Sequence, residues 1–500
     1  MDSKRKQILL NAATTLMQVI GSAVILFFLY RFLIRAIGVS RLGIWSLVLA
    51  TTSVVTLANQ GFATSVVKFV AKYAALDRVE DLSVLIQTAV ISVGATLAVV
   101  SLVLYPAAVW MLKLVVPASR LNEAFEILPY AFISLWVNIV GGILLAALAG
   151  YELITRKNYI LLASSILYLF LCFVLVPRFG LLGMAYAQTV QAGVCFAFTW
   201  IALRPVIPQL PFFPHRWDGA FFREMFAYAA TFQSITVSQA LREPVTKALL
   251  TKFGGLALTG YYDMASRWVF TFREGIVQAN LVLVPTVSGL KERDPRSISS
   301  VYQESYRLIF FLAIPTFAFL IAVSPLISEI WLGRYEPVFV DFVVLLGIAW
   351  LVNVLSNPAY VVDLGTGKLG WVFAGCAVTA VLNLGLGFLV GRYFGGAAVV
   401  AASAFSLALG YLVILMSYHI QNAVPFNQLL PKDSIGIALC SLAGALAILP
   451  WLSQAHLNSH LSFRLIFEAT VALLTMIMLP MWVHPMRKRL INWASSILPA

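Results

Sequence analysis

Charge is scarce in this sequence. Of its 500 residues, 11% are charged and 61% are hydrophobic, whereas a soluble domain carries about 25% charged residues. Such a chain reads as a polytopic membrane protein. Histidine is scarce too: His215, His419, His456, His460 and His484 all fall in loops or at the ends of apolar runs. The four cysteines, Cys172, Cys195, Cys376 and Cys440, lie far apart inside apolar runs, with neither metal spacing nor a redox pair. They read as small buried hydrophobes. No H-E-x-x-H, G-x-S-x-G or Walker A motif occurs, and the close carboxylates, such as Glu80 and Asp81, fall in loops or at span edges. The large loop or acidic motif of a membrane glycosyltransferase is missing as well. These absences argue against an enzyme, a metal, a cofactor or ATP as the direct driver. The formal charge of +13 raises nucleic acid as a partner. The basic residues, however, mostly sit in short loops between apolar runs, so no nucleic-acid partner is expected.

What the chain has in abundance is apolar runs of membrane length. Windows of about 20 residues mark about fourteen spans, so the expected fold class is an all-α membrane bundle. The spans run at roughly 8–34, 43–67, 83–110, 127–149, 159–176, 181–203, 224–250, 258–288, 307–330, 338–361, 371–390, 396–418, 435–451 and 465–484. The seventh could stop near Leu241. The first follows a Lys4-Arg5-Lys6 head but exceeds the about 7–15 residues of a signal-peptide core, so it reads as an uncleaved span. With the N-terminus in the cytoplasm, the pieces on that side hold roughly 20 of the 34 basic residues. That bias places both termini in the cytoplasm, although Arg31, Arg35 and Arg41 fall on the other side.

The chain repeats itself weakly. "AAT" at Ala12–Thr14 recurs at Ala229–Thr231, and "LVPRFG" at Leu175–Gly180 is echoed by "LVGRYFG" at Leu389–Gly395, offsets of 217 and 214 residues. These matches suggest an N-lobe of spans 1–6 (1–203), a cytoplasmic linker (204–222), a C-lobe of spans 7–12 (223–420) and a C-terminal pair, spans 13–14 (421–500). Each lobe has an even number of spans, which makes them parallel repeats, a transporter architecture.

Charge inside a span is expensive, about 2.5–3.5 kcal/mol on insertion scales, so the exceptions carry the argument. In the eighth span, Asp263, Arg267, Thr271, Glu274 and Gln278 share one helical face, with Arg273 beside it. In the seventh, Thr236, Gln239, Glu243, Lys247 and Thr251 form a similar stripe with Arg242 adjacent. Milder stripes run through Asn11, Thr14, Gln18 and Ser22, through Thr52, Thr56, Asn59 and Gln60, and through Asn353 and Asn357 before Pro358. A shared hydrated cavity would satisfy them all; helix-to-helix hydrogen bonding is the alternative, above all for the neutral residues. Arg242, Lys247, Arg267 and Arg273 outnumber Glu243 and Glu274, so the cargo is expected to be anionic. Arginine's planar fork suits phosphate. Glu243 and Glu274 are candidates for ion coupling. The spacing of Arg267 and Glu274 suggests partners on other helices, Glu243 for the first and Lys247 or Arg242 for the second.

Four stretches carry a family likeness. They are "RAIGVSRLGIWSLV" (Arg35–Val48), "NQGFATSVVKFVAKY" (Asn59–Tyr73), "LTGYYDMASR" (Leu258–Arg267) and "VLVPTVSGL" (Val282–Leu290). With the span pattern, they resemble the Wzx-type polysaccharide and O-antigen flippases of the multidrug/oligosaccharidyl-lipid/polysaccharide superfamily. The resemblance implies a bacterial inner-membrane transporter working by alternating access on a lipid-linked oligosaccharide, usually on undecaprenyl pyrophosphate. It implies membrane lipids, and a polysaccharide polymerase and chain-length proteins, as company. In that setting the basic residues would hold pyrophosphate. Gln18, Asn59, Gln60, Gln278, Asn353 and Asn357 would serve the sugars. The chain departs from lipid II flippases in lacking a "DAF…PN" stretch in the first two spans, and from drug antiporters in lacking a first-span aspartate. Both remain alternatives within the superfamily. A non-transporting scaffold of a polysaccharide assembly complex is the alternative outside it.

Overall fold

The computed structural model describes residues 2–53, 62–76, 78–211, 213–281 and 294–458, with isolated positions between 283 and 291 and between 481 and 487. The described residues are helical with short connections, and no strand occurs among them. This follows from the composition, since a backbone in hydrocarbon must satisfy its own hydrogen bonds. Ten helices among the described residues are long and apolar enough to cross a membrane. The second half of the expected second span (Val54–Gly61) and the whole fourteenth lie largely outside the described residues.

The chain divides into two compact units, Met1–Gly260 and Tyr261–Ala500. This is a division by packing, distinct from the sequence repeat. The first unit contains α1 (Asp2–Ile37), α2 (Val39–Ser53), α3 (Phe62–Ala75), α4 (Val79–Val115), α5 (Leu121–Gly150), α6 (Ile154–Phe179) and α7 (Leu181–Leu203). Helix α5 packs on α7, α3, α4 and α2, and α6 packs on α1 and α7. The stretch between α7 and α8 (Gly219–Leu281) is strapped to α4. Buried Gln87 accepts the backbone N–H groups of His215 and Arg216 at 3.0 and 3.1 Å. Thr88 accepts that of Asp218 at 3.0 Å, and Ser83 donates to the Gln209 carbonyl at 3.0 Å. Asp218 in turn caps α8, its Oδ1 accepting the N–H groups of Ala220 and Phe221 at 2.7 and 3.1 Å. Just inside α8, Glu224 pairs with Lys72 at 2.9 Å, and that bond holds the Lys72 ammonium above its ordinary pKa.

The stretch α8 is two helices, the expected seventh and eighth spans, that meet at Gly255 (φ 80°, ψ 177°), a non-helical backbone conformation open to glycine. The first of them continues through Pro244 rather than stopping near Leu241. Next to the break, α2 and α8 meet backbone to backbone. A Cβ on Gly43 would lie 2.0 Å from the Leu256 carbonyl oxygen, and one on Gly260 would lie 2.4 Å from that of Val39.

The second unit holds the rest of α8 with α9 (Ser297–Ala322), α10 (Ser324–Leu332), α11 (Pro337–Thr366), α12 (Gly370–Phe394), α13 (Gly396–Gln421) and α14 (Ile435–Asn458). Helix α13 packs on α12 and α11, and α9 packs on α11 and α14. The expected ninth span is two helices, α9 and α10. Pro325 lies in the first turn of α10, where its missing N–H is harmless, and the helix of α9 ends at Val323. The two echoed segments take the same form. α6 turns into α7 at Gly180 (φ 56°), and α12 turns into α13 at Gly395 (φ 83°).

Candidate functional site

The strongest cluster of polar side chains in the apolar interior centres on Arg273, in the part of α8 after the Gly255 break. Its side chain is 15% exposed. Nε donates to Asn353 Oδ1 of α11 at 2.9 Å, and Nη1 pairs with Glu274 Oε2 at 2.8 Å. The guanidinium carbon sits 5.4 Å from the Phe270 ring centroid and 5.1 Å from that of Trp350. Two rings and an amide thus fix the plane of the fork. The arginine expected beside the polar stripe is therefore tied to a neighbouring helix.

Two turns along, a second amide set continues the seam. Asn280 Nδ2 donates to Asn357 Oδ1 at 2.7 Å, and Ser305 Oγ of α9 donates to Asn280 Oδ1 at 2.7 Å. All three residues are buried. Asn353 and Asn357 lie one turn apart on α11, and Arg273 and Asn280 lie seven residues apart on α8, so one face of each helix meets the other. Sequence reasoning missed Asn280, Trp350 and Phe270. The signal for Asn280 was its heptad spacing from Arg273, on a face that the stripe through Arg267 drew attention away from.

Two charges of the eighth-span stripe have local partners. Arg267 Nε pairs with Asp263 Oδ2 at 3.2 Å, one turn earlier on the same helix. Glu274 pairs with its neighbour Arg273. An i,i+4 or adjacent opposite charge is already within reach when the helix forms. In the first unit, Lys247 Nζ pairs with Glu243 Oε1 at 2.6 Å, with Lys247 buried and Glu243 half exposed. Arg242 beside them is half buried.

The milder stripes separate. On α1, Asn11 Oδ1 accepts from Thr155 at 2.8 Å, and Asn158 Nδ2 donates to Thr14 and Thr15 at 3.3 and 2.9 Å. Those residues tie α1 to α6. Gln18 Nε2 donates within its own helix to Ser22 at 3.1 Å. Asn59 and Gln60, and the side chain of Gln278, lie outside the described residues. No group of three or more potential metal ligands occurs among the described residues.

Fold and interior together define a polytopic helical membrane protein whose fold is that of solved transporters of the multidrug/oligosaccharidyl-lipid/polysaccharide superfamily. An inward-facing multidrug resistance MATE family transporter of that superfamily superposes with TM-score 0.70 at 13% identity, covering 81% of this chain and 98% of its own. The lipid II flippase MurJ, in an inward closed conformation, gives 0.68 at 13% identity over 94% and 98%. A point mutant of the Vibrio cholerae MATE transporter VcmN gives 0.60 at 14% identity over 85% and 99%. At these identities the likeness is one of fold. No curated protein sequence matches the chain. Residues 32–336 match the model of a family described as polysaccharide biosynthesis protein. The match covers more than half of the chain, which belongs to that family.

Proposed function

We propose that this protein is a flippase that carries a lipid-linked oligosaccharide, built on undecaprenyl pyrophosphate, from the cytoplasmic to the outer leaflet of a bacterial inner membrane. It works by alternating access and supplies O-antigen or exopolysaccharide assembly. Both termini face the cytoplasm. Arg242, Lys247, Arg267 and Arg273 engage the pyrophosphate, with Gln18, Asn59, Gln60, Gln278, Asn353 and Asn357 as partners for the sugars. Glu243 and Glu274 are the groups through which an ion could couple. The observation that supports this best is Arg273: a full positive charge held in the apolar interior by two aromatic faces, with part of its fork unmatched by any described residue. Membership in a polysaccharide biosynthesis family is consistent with this substrate class.

The test is deletion in the native host, followed by extraction of lipid-linked intermediates. Repeat units should accumulate on the carrier, facing the cytoplasm, and surface polysaccharide should disappear. Arg273→Ala, expressed at the normal level, should reproduce the deletion. Normal surface polysaccharide in the deletion strain would overturn the proposal. A deletion strain that translocates its lipid-linked units normally but fails to polymerise them would point instead to a scaffold.

A further inference from the structure

A second polar site lies away from the Arg273 cluster. A cavity of ≈ 330 Å³ is bounded by the start of α9 and by the segment joining α13 to α14. Its floor is rigid. Tyr302 and Tyr306 are buried in an aromatic and aliphatic cluster. Tyr302 OH bonds His419 Nε2 at 2.6 Å, and Tyr306 OH donates to the Leu429 carbonyl at 3.0 Å, which pins the turn Phe426–Leu429 over α9. Around the opening stand Gln303 and Arg307 from α9, and Asn427, Gln428, Lys432 and Asp433 from the connecting segment.

These side chains are conspicuous for what they do not do. Neither Arg307 nor Lys432 has a carboxylate within ion-pair distance among the described residues. The Gln428 Oε1 atom is buried without a hydrogen-bond partner among them. A buried amide oxygen left unpaired is costly, so the geometry calls for a donor from outside the chain. The volume lies at the small end of the about 300–1,000 Å³ usual for small-molecule sites, which suits one headgroup and not an oligosaccharide.

The charges narrow the ligand. Two cations draw an anion, and Arg307 can present a fork to phosphate oxygens. Asp433 repels a bare anion, and both Asp433 and Gln428 Oε1 accept hydrogen bonds, which a phosphate dianion cannot donate. Hydroxyl groups can. We propose that this cavity binds a polyol phosphate, a phosphate ester whose alcohol carries free hydroxyls. The phosphate lies toward Arg307 and Lys432, and the hydroxyls donate to Gln428 and Asp433. Such a group occurs as the headgroup of a glycerophospholipid and as a soluble sugar or glycerol phosphate. The proposal stands without the flippase reading, because it uses none of the residues on which that reading rests.

The experiment uses the full-length protein in nanodiscs of phosphatidylcholine, titrated calorimetrically with glycerol 1-phosphate and, separately, with inorganic phosphate. A second arm exchanges phosphatidylglycerol into the discs and measures lipid retained through native mass spectrometry. Arg307→Gln with Lys432→Gln should weaken binding about tenfold or more. Both positions are solvent-exposed, so an unchanged unfolding temperature should certify the fold. Asp433→Asn should weaken glycerol 1-phosphate while tightening inorganic phosphate. Binding in the soluble arm alone identifies a metabolite, and retention in the lipid arm alone identifies a headgroup. Either supports the proposal if the double variant loses it. No binding in both arms, or binding that the double variant keeps, overturns it. Inorganic phosphate that binds wild type as tightly as glycerol 1-phosphate overturns the hydroxyl assignment.

Discussion

Replacing Arg273 by lysine keeps the charge and removes the fork, which makes it the sharpest perturbation of the candidate site. In the wild type the guanidinium bonds Asn353 at 2.9 Å and Glu274 at 2.8 Å while lying over two rings. Interhelical hydrogen bonds in membrane bundles average about 0.6 kcal/mol, and charge assistance roughly doubles that. The Asn353 bond is therefore expected to be worth about 1 kcal/mol. The cation–π contacts contribute about 0.5–1 kcal/mol more. The Glu274 pair adds little, because its carboxylate is 38% exposed and solvent-screened. Arg273→Ala should thus lower stability by about 2 kcal/mol, and Arg273→Lys by less. The assay is a double-mutant cycle with Asn353→Leu, read by denaturant unfolding in mixed micelles, beside surface polysaccharide in the host. Lysine should keep most of the stability and lose most of the transport, since a point charge does not hold phosphate bidentately. A lysine variant with wild-type transport would refute the fork argument. A coupling energy near zero would refute the Asn353 contact.

Three further outcomes can be checked. Gly43→Ala and Gly260→Ala each drive a Cβ into backbone carbonyl oxygen, 2.0 and 2.4 Å away; both should abolish monodisperse protein on size exclusion, whereas Gly275→Ala, with nothing within 4 Å, should be neutral or stabilising. Glu243→Gln removes the carboxylate beside buried Lys247 and should lower the unfolding temperature, by less than the about 3–5 kcal/mol of a fully buried pair because Glu243 is half exposed. The companion Lys247→Met should recover part of that loss, and a variant pair with unchanged unfolding would show the ion pair to be idle. Reporter fusions after Lys157, Arg216, Lys291 and Lys432 should report cytoplasm, and fusions after Arg120 the outer side; an outer signal at Arg216 would break the division into two lobes.

Much of the architecture was legible because hydrocarbon leaves the backbone few options. Apolar windows located α4 to α7 and α11 to α13 to within a few residues. The split between α9 and α10 was legible in principle from Pro325, but a hydropathy window averages across a single proline. The turn between the seventh and eighth spans rests on one residue, Gly255, in a non-helical conformation that no periodicity reports. For the site, the wheel of α8 put Asp263 and Arg267 on one face, one turn apart, where they pair. Arg273 lay off that face, and its importance depends on where α11 brings Asn353 and Trp350. That is tertiary information. A single helix's pattern says which residues share a side and not what stands opposite.

The contrast between α1 and Arg273 bears on what polar groups in such a bundle are for. On α1, Asn11, Thr14 and Thr15 meet Thr155 and Asn158 of α6, and neutral groups satisfy one another. That is adhesion between helices and needs no further partner. Arg273 differs in arithmetic. A guanidinium has five N–H donors; Nε is used by Asn353 and Nη1 by Glu274, while Nη2 meets no acceptor among the described residues. In an apolar interior such donors require water or an anion. Phe270 and Trp350 cover the faces of the fork without satisfying its edge, so they fix its direction and leave its donors for something that enters. Adhesion alone would be served by a lysine or a glutamine at this position. An arginine clamped in plane with donors to spare suits exchange of water for an anion, and for that reason the lysine variant is expected to divide stability from transport.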